Sequence, residues 1–317
     1  MDVELNHHRG EERAKGLIKR LSVLIVLSVL VMSCGSGGIK RSSVKSSNPP
    51  KIGTTTTTTG TIASSSTPQS TVTQASPIWM ITYSAATKYL PTTLAQGILN
   101  NPNNLVIYGP NQRPGRFASK SLTDFKSFDS ISGETSTLSS ENIYGAVVDL
   151  ERWSYTPLIE QQNPALYYKM ASSSLHALNL KLVATPGLDL FKGIGRGPLY
   201  SLMLKSGLYT SVAKVANIID IQAQSLENDP TLYAAFVLQA SSQIRSVNPS
   251  AIVLAGLTTS VKSGIAPTGQ TLEQDAHRVQ GVVGGFWINI PSNGPACPTC
   301  SPVNPQPAVA LLQSYAS

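Results

Sequence analysis

The sequence predicts an α/β fold, a (β/α)8 barrel of the TIM type that follows a disordered Ser/Thr-rich tether. Three observations predict it. From Pro77 onward, short apolar runs alternate with longer segments of helical period. The runs are almost continuously apolar, which is how strands read when helices cover a parallel sheet. About 240 residues in seven or eight such units fit a closed barrel, and no glycine-rich nucleotide turn follows the first strand to favour an open doubly wound sheet.

Strands are expected at 78–84, 105–108, 145–151, 181–185, 218–224, 251–257 and 285–290. An eighth is either hidden within 113–140, a polar stretch with a weak helical piece at 121–128, or missing from an incomplete barrel. Helices are expected at 164–178, with Leu166, Met170, Leu175 and Leu178 on one stripe, and at 230–247. The second has Asp229 as cap and Leu232, Phe236, Ala240 and Ile244 at core spacing. Shorter ones are expected at 271–283 and 307–315. The glycines of 193–197 read as a flexible loop, because they do not sit between a strand and a helix as a phosphate loop does.

Before the barrel lies an address. Residues 1–51 hold nine Lys/Arg against four Asp/Glu, so most of the formal +7 belongs to this end and the globular part lacks the basic footprint of a nucleic-acid binder. Lys15, Lys19 and Arg20 precede an apolar run, 21–33, that is shorter than the roughly 20 residues a membrane span needs and fits the apolar core of an export signal. Val31-Met32-Ser33-Cys34 resembles the lipobox of bacterial lipoprotein precursors, with Val where Leu is usual. That resemblance implies cleavage before Cys34, lipidation of Cys34 and placement on the extracytoplasmic face of a bacterial membrane. An uncleaved signal anchor and a plain secreted protein are the alternatives. From 35 to 76, twenty of forty-two residues are Ser or Thr and none is acidic, a composition that cannot offset the entropy of ordering. The expected organisation is therefore 1–33 signal, 34–76 lipidated Cys and tether, 77–317 barrel. Three Cys leave one unpaired in an exported chain unless Cys34 carries lipid and Cys297 pairs with Cys300. The Cys-x-x-Cys spacing also admits a redox pair.

In a parallel barrel the site lies at the carboxyl ends of the strands. The most informative end is 144–153, Tyr-Gly-Ala-Val-Val-Asp-Leu-Glu-Arg-Trp. Strand alternation puts Asp149, Glu151 and Trp153 on one face, with the first two Cβ atoms about 6.5 to 7 Å apart. Two acids that close oppose each other's ionisation, which raises one pKa and prepares a proton donor. This Asp-x-Glu strand end resembles that of the family 18 chitinase-type glycoside hydrolases. The resemblance implies Glu151 as general acid and Asp149 as the residue orienting it or the substrate's acetamido group. The family pattern has a further Asp two positions earlier, where this chain has Val147, and carries the motif on the fourth strand, whereas here it falls on the third strand named.

Other strand ends add groups that suit a sugar. Asp220, Gln222 and Gln224 share a face, as do Trp287 and Asn289, and Tyr83 ends the first strand. Aromatic faces stack on sugars and amides bond to hydroxyls. Glu227, or else Asp189, is the candidate second carboxylate. His176 and His277 fall on outer helices, and no histidine or cysteine set completes a metal site, so neither a serine triad nor a metal or other cofactor is expected. Two functions stay open: a lipid-anchored hydrolase of glycosidic bonds, and a surface lipoprotein that binds carbohydrate or peptide without turnover.

Overall fold

The computed structural model describes residues 76–109, 112, 114–140, 142–260, 265–294, 297 and 300–316. The expected signal, Cys34 and the tether lie outside the described residues. Eight strands run β1 (Ile78–Thr82), β2 (Leu105–Tyr108), β3 (Lys120–Phe125), β4 (Gly145–Val148), β5 (Lys181–Ala184), β6 (Ile218–Ile221), β7 (Ile252–Thr258) and β8 (Gly285–Asn289). Each pairs in parallel with its sequence neighbours, and β8 returns to β1, closing the barrel. The closed (β/α)8 barrel is therefore complete.

The eighth strand is β3, in the stretch where a weak helix was expected at 121–128. Lys, Ser, Thr and Asp are poor advertisements for a strand, so composition hides it. The ladder to β2 and β4 decides, pairing Leu122 with Ile107 and with Gly145. With β3 counted, the strand that ends in Asp149 is the fourth. Three expected strands overran by two residues or more, since β1 stops at Thr82, β4 at Val148 and β6 at Ile221.

Around the barrel lie α1 (Tyr83–Tyr89), α2 (Thr92–Leu99), α3 (Phe128–Ser140), α4 (Leu158–Gln162), α5 (Pro164–Ala177), α6 (Leu199–Lys205), α7 (Leu208–Ala213), α8 (Pro230–Val247), α9 (Gly269–Val279) and α10 (Gln306–Ser314). Asp229 caps α8 by accepting the Leu232 N–H at 3.0 Å, as its sequence predicts. The stripe expected on α5 needs correction. Leu166 and Met170 are exposed, and the buried face is Tyr168, Ala171, Ser172 and Leu175. That set has the same helical period on another stripe, anchored by the Tyr168 hydroxyl, which donates to Val148 O on β4 at 3.3 Å. The amino end of α3 is capped from a distance: Glu160 of α4 accepts the N–H groups of Phe128 and Asp129 at 2.7 and 3.1 Å.

Strand parity sorts the core into two layers. Met80, Ile107, Leu122, Val147, Val183, Ile218, Leu254 and Trp287 fill the barrel interior. Val106, Ala146, Val148, Leu182, Ile219, Val253 and Phe286 face the helices in a second cluster. Each such Val, Leu, Ile or Phe contributes about 1.5 to 3 kcal/mol on full burial. Cys297 and Cys300 are joined as a disulfide, S–S 2.01 Å, which settles their pairing.

Candidate active site

The inward parity that packs Val147 continues past the end of β4 and places Asp149 on the interior face. Its backbone N–H still donates to Phe125 O at 2.8 Å, so the ladder holds the residue in register. Asp149 is 3% exposed, and both oxygens are engaged. Oδ2 lies 2.8 Å from the Lys126 ammonium, and Oδ1 accepts the Thr185 hydroxyl and the Gln222 amide, both at 2.9 Å. Gln222 also donates to Thr185 O at 2.8 Å. The chain thus brings β3, β4, β5 and β6 to one carboxylate.

Lys126 also bonds Asp124 Oδ2 at 2.7 Å. Burial alone would lower the lysine pKa, but the carboxylates of Asp149 and Asp124 outweigh it and hold it above its usual value. Its ammonium is thus shared between two carboxylates. Burial pushes the Asp124 carboxyl up, Lys126 draws it down and Asp149 pushes it up again. One layer deeper, Asp220 is fully buried, and both of its oxygens lack a partner among the described residues. Burial first, and the charge of Asp149 second, raise its pKa well above the carboxylate norm and favour the protonated acid. The indole N–H of Trp287 and Oδ1 of Asp124 are likewise buried without a partner among the described residues. Orphaned polar atoms clustered inside one end of a barrel ask for a ligand or ordered water.

Glu151 lies beyond the strand, half-buried. Gly187 explains how it fits. Gly187 continues the inward series of Val183 and Thr185, and its N–H donates to Leu150 O at 3.0 Å. A Cβ at that position would meet Glu151 Cγ at 2.8 Å and Asp189 Oδ1 at 2.9 Å. The missing side chain lets Glu151 cross the end of β5 on the inner side. Asp189 in turn accepts the Arg152 N–H at 2.9 Å, which ties the two loops together. Gln224 uses a second notch, its amide lying where a Cβ of Gly256 would be, 2.6 Å from Nε2. Trp287 and Asn289 sit on the inward parity of β8, at 7% exposure and half-buried respectively.

Two expected residues reach this end of the barrel on the outer side of its wall. Thr82 takes the inward position on β1, so Tyr83 faces outward and stacks on Tyr108, centroids 5.1 Å apart. Glu227 is fully buried, and one of its oxygens accepts the Thr258 N–H at 2.5 Å. Its electrostatic neighbour is Asp275 of α9, and both act on Tyr233 of α8, so it belongs to the helix side of β7. Trp153 is nearby, but its ring carries the Lys126 ammonium 5.1 Å from its centroid, its N–H donates to Thr156 at 2.8 Å, and Tyr155 meets it edge-on at 5.3 Å.

The sequence reading missed Asp124, Lys126 and Thr185. The signal for Asp124 and Lys126 was the alternation Lys120, Leu122, Asp124, Lys126, legible only once 120–125 is taken as a strand, whereas Thr185 follows Val183 on the inward parity of a strand the sequence did predict. Among the described residues no group of three or more His, Cys, Asp or Glu could hold a metal ion, and no helix is long and apolar enough to cross a membrane.

No protein-family model and no curated protein matches this sequence. Solved structures resemble it in fold. A chitinase from Chromobacterium violaceum is 12% identical, covering 67% of this chain and 93% of that one at a TM-score of 0.43. A putative alpha-L-fucosidase from Bacteroides thetaiotaomicron is 8% identical, with 77% and 93% covered at 0.48. A putative phosphonomutase from Burkholderia cenocepacia is 10% identical, with 76% and 92% covered at 0.41. These likenesses bear on the barrel alone, and their names span unrelated reactions.

Proposed function

We propose that this chain is an exported, lipid-anchored, carbohydrate-active barrel that hydrolyses a glycosidic bond by carboxylate acid/base catalysis, with Glu151 as proton donor and Asp149 fixed beside it. The observation that carries the reading is the notch at Gly187. It gives Glu151 the inner side of the β5 end, two residues beyond an inward-facing, fully bonded Asp149. A proton donor needs a half-buried carboxyl within reach of the leaving oxygen, and a neighbour that is held still. The recount that makes β4 the fourth strand agrees with the Asp-x-Glu resemblance, and Val147 still departs from it. Gln222, Gln224, Trp287 and Asn289 supply amides and a ring to a sugar. Further carboxyls on the inner side of this end come from Asp124 and Asp220 rather than Glu227. Cys34 would hold the chain to the extracytoplasmic membrane face, with 35–76 as a tether.

Non-catalytic binding of carbohydrate is the second reading. It is favoured by one observation: the oxygens of Asp149 are already engaged by Lys126, Thr185 and Gln222. The full chain, screened against a panel of chromogenic glycosides and polysaccharides alongside Glu151→Gln, separates the two. Turnover that falls by about 10² or more in the variant supports the hydrolase. Turnover that survives removes the assignment of Glu151, and retention of a polysaccharide without turnover supports the second reading. Lipidation is checked by mass spectrometry of the mature chain and of Cys34→Ser.

A further inference from the structure

We infer that Lys126 is a positioning residue of this site: from the end of β3 it supplies the cationic partner of Asp149, and it suspends the segment that carries Glu151. Three contacts of its ammonium support the first part. Nζ lies 2.7 Å from Asp124 Oδ2, 2.8 Å from Asp149 Oδ2 and 5.1 Å from the centroid of Trp153. The ammonium is thereby triangulated by two strands and a ring, and Asp149 is held by a charge-assisted bond.

The second part follows from its backbone. Lys126 O accepts the Thr156 hydroxyl at 2.6 Å. The same Thr156 oxygen accepts the Trp153 indole N–H at 2.8 Å and is 3.5 Å from the Glu151 N–H. Gln161 closes the segment from below, donating to Trp153 O at 2.9 Å and to Thr156 O at 2.7 Å. Residues 151–156 therefore hang from Lys126 at two points, through Trp153 at the ammonium and through Thr156 at the carbonyl. Lys126 thereby links Asp149, through its ammonium, to the segment that carries Glu151, beside the further ties from Gln161 and Asp189.

The kinetic consequence rests on the hydrolase reading, but the structural one does not, and the experiment reads both. Lys126→Met and Lys126→Arg are made in the full chain, with Thr156→Val as a variant that cuts the carbonyl tie and leaves the ammonium. Hydrogen exchange of peptides covering 150–157 is expected to quicken at least tenfold in Lys126→Met and in Thr156→Val, and to return towards wild type in Lys126→Arg. On a glycoside that the wild type cleaves, Lys126→Met is expected to lower kcat about 10²-fold with KM within threefold, because a misplacement of about an ångström has that cost. Lys126→Arg should recover most of it. Unchanged exchange of 150–157 in Lys126→Met overturns the inference. So does a loss that Arg fails to restore, or one that raises KM as much as it lowers kcat. A wild type that turns over nothing defeats the hydrolase reading alone, and the exchange data still decide the role of Lys126.

Discussion

Two sets of acids flank the wall of the barrel, one on each side, and their surroundings differ. Inside, Asp149 and Asp124 share the Lys126 ammonium, and Asp149 has Thr185 and Gln222 besides. Outside, behind β7, Glu227 and Asp275 are fully buried. Glu227 has one backbone N–H, while its second oxygen and both oxygens of Asp275 lack a partner among the described residues. Burial raises the pKa of Asp275 to about 8, against the pull of Arg278 and with a further push from Asp229. It raises Glu227 well above the usual range, opposed by the Thr258 N–H. The same residue types gather round an ammonium where a lysine reaches them, and where none does, as at Glu227 and Asp275 outside and at Asp220 inside, burial raises the carboxyl pKa.

Breaking the inner set should have the largest effect. Asp149→Ala leaves Lys126 with one carboxylate, and takes one of two acceptors from each of Thr185 and Gln222. Stability is expected to fall by about 3 kcal/mol, read from urea unfolding, and turnover should vanish with it.

The outer set should show itself in the pH dependence of stability. Asp275 carries a folded pKa of about 8 against an unfolded value of about 4. The folded state therefore holds a proton that the unfolded state has released between those values. This contribution is fully present below about pH 4 and is lost progressively as pH rises through about 8. The melting temperature should decline from about pH 5 to about pH 9, and Asp275→Asn should flatten that decline. A wild-type curve that rises across the window would contradict the assignment.

Smaller effects sharpen the contrast. Gly187→Ala should leave the melting temperature within a few degrees, about 1 kcal/mol, yet lower kcat at least tenfold by displacing Glu151. Glu227→Gln keeps an acceptor for the Thr258 N–H, so stability should change by less than about 1 kcal/mol and turnover by less than twofold.

The barrel was legible because apolar runs such as Gly145–Val148 and Ile252–Thr258 follow from burial on both faces, a property of the sequence itself. β3 was not, because its inward residues are Lys120, Leu122 and Asp124. A strand that serves a site trades apolar residues for polar ones and so loses its signature. Asp149, Gln222 and Trp287 were found through parity on strands already recognised. Lys126 was missed with its strand. Glu227 and Tyr83 were misplaced for different reasons: Tyr83 follows Thr82, the inward residue of β1, so alternation itself turns it outward, whereas Glu227 lies beyond β6, where its bond to the Thr258 N–H decides.

The most direct test is a crystal structure of Glu151→Gln with the oligosaccharide that the full chain retains best in affinity electrophoresis. A sugar is expected across the carboxyl ends of β4 to β6, with a glycosidic oxygen about 3 Å from the side-chain amide introduced at position 151. A sugar bound anywhere else on the barrel, with that amide turned away from it, would contradict the assignment of the site.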